Sequence, residues 1–373
     1  STQMTSMTTK FAGRLPLGTS HPICVKKDGQ FHTRSIPPAT DDLSTNAKES
    51  VVLACGLACS EVISGRNLAQ VLTPGFEYEG LILAALRDGM PAPPLAIHTS
   101  AGVPAPLEVF IEALQPHFPW RQEQSDENGD DWFVSLQVEG ASAVLAAIDL
   151  MVQLRHFHSD QKDVQALEDW RVGVCSKSYH GPPSSSPGAA TPLFSSKHNQ
   201  ELYPVPPAYE DQHAQDDYLQ HFSSWLEDQH NSLGCLLVEP QWGSSQVARS
   251  WVPDTLRQVI EMCHEKRVLV IADEIMCGLG RHGQTGPAAS GDDSSPPLFL
   301  SQAWQLPVDA VTFGKAICAG AYPMSGVVCR HGSKQLGSLG RSALQSHTYS
   351  GSNTRALLTA VEVTFVLNHA LCS

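Results

Sequence analysis

Between residues 132 and 330 short apolar runs alternate with amphipathic stretches, and this alternation constrains the fold more than any other feature of the chain. "WFVSLQV" (132–138), "WRVGVCS" (170–176), "LGCLLVEP" (233–240), "VLVIADEI" (268–275) and "VDAVTFG" (308–314) have the length and composition of strands. Between and after them, "EGASAVLAAIDLMVQLRHF" (139–157), "DDYLQHFSSWLEDQ" (216–229), "PDTLRQVIEMCHEKR" (253–267) and "SNTRALLTAVEVTFVLNHAL" (352–371) carry helical spacing. Strands feeding helices in this order predict an α/β fold: a mostly parallel sheet wrapped by helices. "GPPSSSPGAATP" (181–192) and "HGQTGPAASGDDSSPPL" (282–298) read as loops, and "SDENGDD" (125–131) as a turn. Upstream, residues 1–48 are polar and weakly periodic. Residues 48–72 and 79–90 read as two separate helices, the second closed by Gly89. The expected organisation is an N-terminal arm over 1–75, a large α/β domain over 76–335, and the start of a C-terminal lobe over 336–373.

Charge and cysteine usage exclude several classes. The formal net charge of -14, with only 24 Lys and Arg, argues against nucleic acid or an anionic membrane as a partner. The ten cysteines form no CxxC pair and no zinc-spaced cluster, so no metal site is expected. Several lie in apolar runs such as "SLGCLLVEP", as small core residues of a reducing compartment do. No apolar run is long enough for a membrane span. A cytoplasmic location is expected. Lys10 and Arg14, which precede the first acid, Asp28, among Ser and Thr, give a weak mitochondrial signal.

The residues that could carry chemistry follow strands: Glu139-Gly140-Ala141, Tyr179-His180-Gly181, Glu239, Asp273 and Lys315. In a parallel sheet such positions share one edge, where ligands bind. An acid ending a core strand, like Asp273, costs several kcal/mol (roughly) unless a cation or donor meets it. Lys315 sits among Gly314, Ala316, Ile317 and Cys318, a setting that desolvates an amine and leaves it nucleophilic toward a carbonyl. A pyridinium nitrogen needs a buried anion and a lysine Schiff base needs such a ring as electron sink, so Asp273 and Lys315 answer paired needs. Amides of Gly140, Ala141 and Ser142 could cradle a phosphate at a helix start. Tyr179 could lie on a planar ring, and His180 could reach the same group. Each also has a plain structural role open to it: Lys315 as a surface lysine, Asp273 as a helix cap or ion-pair member, Tyr179 and His180 as packed core residues.

With these residues in hand, the chain resembles the class III pyridoxal-phosphate-dependent aminotransferases, of fold type I. The resemblance runs from about residue 131 to 366 and is strongest in "LLVEPQWG", "VLVIADEIMCGLGRHG", "VDAVTFGKAICAGAYPMSG" and "SHTYSGSNTRALLTAVEV". It implies pyridoxal 5'-phosphate as cofactor, held by Lys315 as a Schiff base, with Asp273 on the pyridine nitrogen. Tyr179 would stack on the ring, with His180 and Gly181 completing that turn. Glu239 would lie near cofactor or substrate. Gly140 and Ala141 fall where the family binds phosphate, and Thr348 where it reaches the phosphate across a homodimer interface. Three positions depart from the family: Ala141 lacks the usual hydroxyl, Ser142 stands for Glu, and Met276 for a Gln that touches the cofactor. The chain ends at Ser373, where the family continues with a C-terminal lobe that often holds an arginine for a substrate carboxylate. The implied activity is transamination from an amine or amino acid to a keto acid or aldehyde. A racemase, aminomutase or decarboxylase on the same scaffold shares the Lys and Asp, and a non-catalytic homologue would account for the departures.

Overall fold

A computed structural model describes residues 22–27, 30–35, 65–90, 105–120, 132–159, 169–181, 200–207, 211–243, 246, 248–282, 297–330, 349, 351 and 353–370. The chain divides into two units: Ser1–Leu114 with Lys315–Met324 and Thr348–Ser373, and Gln115–Gly314 with Ser325–His347.

In the first unit, β1 (Pro22–Lys27) and β2 (Gln30–Ser35) pair antiparallel, where the sequence reads as irregular. Helix α1 runs unbroken from Gly65 to Arg87, joining the end of the first expected helix to the second; residues 48–64 of the first lie outside the described residues. Pro74 lies inside it, and a proline removes one backbone bond. Packing carries the helix across that gap. A Cβ at Gly75 would sit 2.9 Å from Thr359 Oγ1 and 3.1 Å from Tyr322, so the missing side chain admits both. Gly89, with φ +66, follows the helix end as expected. Helix α2 (Ala105–Leu114) was not anticipated. Helix α7 (Thr354–Ala370) packs on α1 and α2, and Arg355 pairs with Glu79 and lies over the Tyr322 ring.

The second unit is built on a seven-stranded sheet. Its strands are β3 (Phe133–Gln137), β4 (Arg171–Cys175), β5 (Gln200–Tyr203), β6 (Leu233–Val238), β7 (Leu269–Asp273), β8 (Ala310–Phe313) and β9 (Ser325–Cys329). The order is β3-β9-β8-β7-β6-β4-β5, and only β9 runs antiparallel to its neighbours. The C-terminal ends of the other strands therefore share one edge. Both faces are apolar, which is why these strands read as continuous hydrophobic runs. Helix α3 (Gly140–Phe157) covers one face, packing Val144, Ile148, Met151 and Val152 with Val172, Val174, Leu237, Ile271 and Val327. Beyond the sheet's other face, helices α4 (Gln212–Gln229) and α5 (Pro253–Glu265) pack together and bury Phe222, Val259 and Ile260. Asp211 starts α4 by accepting from His213 and Ala214 amides, an N-cap worth about 1 kcal/mol. A one-turn helix, α6 (Leu300–Ala303), precedes β8.

Candidate functional site

Strand alternation decides where the two acids ending β7 point. Ile271 belongs to the cluster under α3, so Asp273, two residues on, faces the same side. Its partner across the ladder is Thr312 of β8, whose hydroxyl donates to Asp273 Oδ1 at 3.0 Å. The Ile275 amide donates to the same oxygen at 3.2 Å, and His180 Nδ1 lies 2.6 Å from Oδ2. Aspartate and imidazole are both buried. Burial pulls the His180 pKa down, but the hydrogen bond and charge of Asp273, with Glu239 behind them, outweigh it and leave it raised. The acid expected to need a cation or a donor meets a histidine, a hydroxyl and a backbone amide.

Glu274 turns the other way. Its carboxylate accepts from the Leu300 amide at 2.6 Å and the Ser301 amide at 2.8 Å, tying the end of β7 to the start of α6. Burial pushes its pKa up to about 7 against those bonds.

His180 and Tyr179 lie on the stretch leaving β4. The Tyr179 amide donates to Glu239 Oε1 at 3.1 Å, and the Gly243 amide to Oε2 at 3.3 Å. Glu239 is thus a buried brace between the exits of β4 and β6, and burial raises its pKa. The Tyr179 ring is 39% exposed, open on the edge rather than packed in the core. His180 Nε2 is buried with no hydrogen-bond partner among the described residues. Met276 packs on Gly243, where an added Cβ would meet its Cγ at 3.0 Å.

On the same edge, Gly140 and Ala141 open α3 next to β7. A Cβ on Gly140 would lie 3.0 Å from Ile275 Cδ1. Glu139, the N-cap residue, makes no side-chain cap bond, and its carbonyl accepts from Ser325 Oγ at 2.6 Å. Lys315 follows Gly314 directly and opens the 3-10 turn Lys315–Cys318 with φ +43. A left-handed conformation is rare for a residue bearing a Cβ, and such strain concentrates at functional sites. Thr348 lies outside the described residues. Among the described residues no group of three or more His, Cys, Asp or Glu could hold a metal ion, and no helix is long and apolar enough to cross a membrane.

The structure brings His180, Asp273 and Glu239 together with Thr312, which the sequence reading passed over. Its one available signal was its place on the strand that precedes Lys315. Glu274 was likewise seen in sequence without a role.

The chain is 25% identical over 248 residues to the uncharacterized aminotransferase YodT of Bacillus subtilis, covering 62% of this chain and 51% of YodT. It therefore spans about half the length of that curated relative. The ornithine aminotransferase of Bordetella pertussis is 36% identical over 93 residues, 25% of this chain and 19% of that one. The solved structure of taurine:2-oxoglutarate aminotransferase from Bifidobacterium kashiwanohense superposes with a TM-score of 0.58 at 19% identity, covering 95% of this chain and 68% of that one, and so shares the fold. A family model described as aminotransferase class-III matches residues 125–373. The chain belongs to the class-III aminotransferases.

Proposed function

We propose that this protein is a transaminase that uses pyridoxal 5'-phosphate to move an amino group from an amine or amino acid to a keto acid or aldehyde. The observation that carries the reading is the buried Asp273–His180 pair at the C-terminal edge of a class-III aminotransferase sheet. The residues fit the cofactor. A protonated pyridine nitrogen needs a buried carboxylate, and Asp273 is one, held by Thr312, Ile275 and His180. The first turn of α3 has no side-chain cap, which suits its amides to a phosphate. When bound, pyridoxal phosphate supplies an electron sink for the charge left when a proton leaves the donor's α-carbon.

Each residue then has a task. Asp273 would keep the ring nitrogen protonated, and His180 would keep Asp273 charged and oriented. Tyr179, braced by Glu239 through its amide, would cover the ring. Gly140, Ala141 and Ser142 would hold the phosphate, Ala141 by its backbone alone. Met276 would be a further cofactor contact. Lys315 Nζ would be the covalent attachment point and the base that takes and returns the α-proton. The family resemblance implies that Thr348, which lies outside the described residues, would serve the phosphate of a second copy, and a homodimer is part of this reading. Cys175, Cys235, Cys263, Cys277 and Cys329 are buried free thiols, and a cytoplasmic location is part of this reading.

Absorbance of the purified chain during titration with pyridoxal phosphate tests the reading. A protein-bound band near the visible edge that resists dialysis is expected in wild type and is lost in Lys315→Ala. No such band in wild type, or an equal one in the variant, rejects it.

A further inference from the structure

On the strand-exit edge, two guanidinium nitrogens of Arg249 are shielded from water with no hydrogen-bond partner among the described residues. Arg249 lies on the return of the loop that leaves β6. The Trp242 amide donates to the Arg249 carbonyl at 2.8 Å, the Trp251 amide donates to the Pro240 carbonyl at 3.0 Å, and Gln241 bridges Ser250. These bonds fix the loop beside Glu239, which also holds the Gly243 amide. The guanidinium carbon lies 4.6 Å from the centre of the Trp242 ring, and Trp242 stacks on Trp251 with centroids 5.7 Å apart.

Stacking satisfies the face of a guanidinium but not its rim, because all its N–H bonds lie in the plane. On that rim Nε and Nη2 are buried and have no partner among the described residues. Those two nitrogens form one side of the fork, the side to which both oxygens of a carboxylate bond in parallel. The nearby buried acids are engaged elsewhere: Glu239 with the Tyr179 and Gly243 amides, Asp273 with His180. At the end of β4, burial raises the Cys175 thiol pKa and Glu239 adds to that, while Lys177 and Arg249 pull it back. Arg249 therefore stands on the strand-exit edge, beside the brace that positions Tyr179.

We propose that Arg249 binds a carboxylate, the one that a keto acid or amino acid substrate presents to this edge. The word substrate rests on the transaminase reading; the anion site does not. One guanidinium beside a flat indole matches a planar monoanionic group better than a phosphate dianion.

Isothermal titration of the full chain with glutarate, a dicarboxylate with no amino or keto group to react, tests the site, with inorganic phosphate as the competing ligand. We expect saturable glutarate binding, weaker phosphate binding, and an affinity for glutarate reduced about ten- to hundredfold in Arg249→Gln. Arg249→Lys keeps the charge without the planar rim and falls between the two. No saturable binding in wild type, a preference for phosphate, or an unchanged affinity in Arg249→Gln overturns the proposal. Should the glutamine variant fail to fold by circular dichroism, wild-type affinity in Arg249→Lys overturns it instead. Cofactor uptake is followed separately by absorbance. A chain that takes up no pyridoxal phosphate yet binds glutarate through Arg249 sinks the transaminase reading and supports the anion site.

Discussion

Asp273 and Glu274 are adjacent carboxylates on one strand end, and the pleat alone separates their work. Asp273 faces α3 and pairs with His180; Glu274 faces the other side and caps α6. The His180 pKa is raised in the folded state, so its contribution to stability is full below the unfolded value of about 6.5 and is lost as pH rises through the folded one. His180→Gln should therefore cost about 3–5 kcal/mol at roughly pH 5.5 and less near pH 9, read from urea midpoints. A cost that grew with pH would contradict the pair. Glu274 moves from 4.5 to about 7, so ionising it in the folded state costs roughly 3 kcal/mol that a neutral side chain avoids. Its stabilising share is present below 4.5 and gone above 7. Glu274→Gln should gain on wild type by about that amount between roughly pH 5 and pH 8.5. Parallel stability curves would refute the assignment. Asp273 was legible as a buried acid in need of partners because an acid ending an apolar strand demands one. That the partner is His180 was not legible: the two meet only when β4 and β7 take their places in the sheet.

At the scale of elements, close approach decides what the sequence could only hint at. Helix α1 continues through Pro74 because Gly75 lets Thr359 and Tyr322 pack against it, a tertiary contact no local pattern announces. The β8–β9 pairing depends on a similar gap. A Cβ at Gly326 would lie 2.6 Å from Phe313 Cζ and 2.9 Å from Leu136 Cδ2, inside any tolerable contact. Phe313 and Leu136 are both buried, so relief requires rotating Phe313 against its packing. Gly326→Ala should cost about 1–3 kcal/mol in denaturant unfolding, with the m-value unchanged. A neutral result would mean that Phe313 has room to move. Strands of β-branched residues and helices of clear period were readable because each buries a face that its own spacing defines. Strand β5, "QELY", was not, since a four-residue edge strand with two polar residues carries no such spacing.

For the whole molecule, the sheet order explains why candidate residues scattered in sequence lie along one edge of the second unit. Four strand exits, those of β3, β4, β6 and β7, carry Gly140, His180, Glu239 and Asp273 in that chain order, and Lys315 follows β8 in sequence. The alternation of strands and helices predicted the shared edge; the antiparallel direction of β9, a strand inserted between β3 and β8, could not be read from its own residues. A site assembled from so many segments exists only in the native state. A ligand that binds it must then raise global stability, by about 2.7 kcal/mol at a concentration one hundred times its dissociation constant. Pyridoxal phosphate should shift the urea midpoint upward in proportion to the logarithm of its concentration. Asp273→Asn should weaken that shift, because the amide cannot hold the ring nitrogen's proton as a carboxylate does. Lys315→Ala should weaken it differently, abolishing the covalent, dialysis-resistant part while leaving reversible stabilisation through Asp273 and the amides of α3. If both variants were stabilised as fully as wild type, the cofactor would be binding somewhere other than this edge.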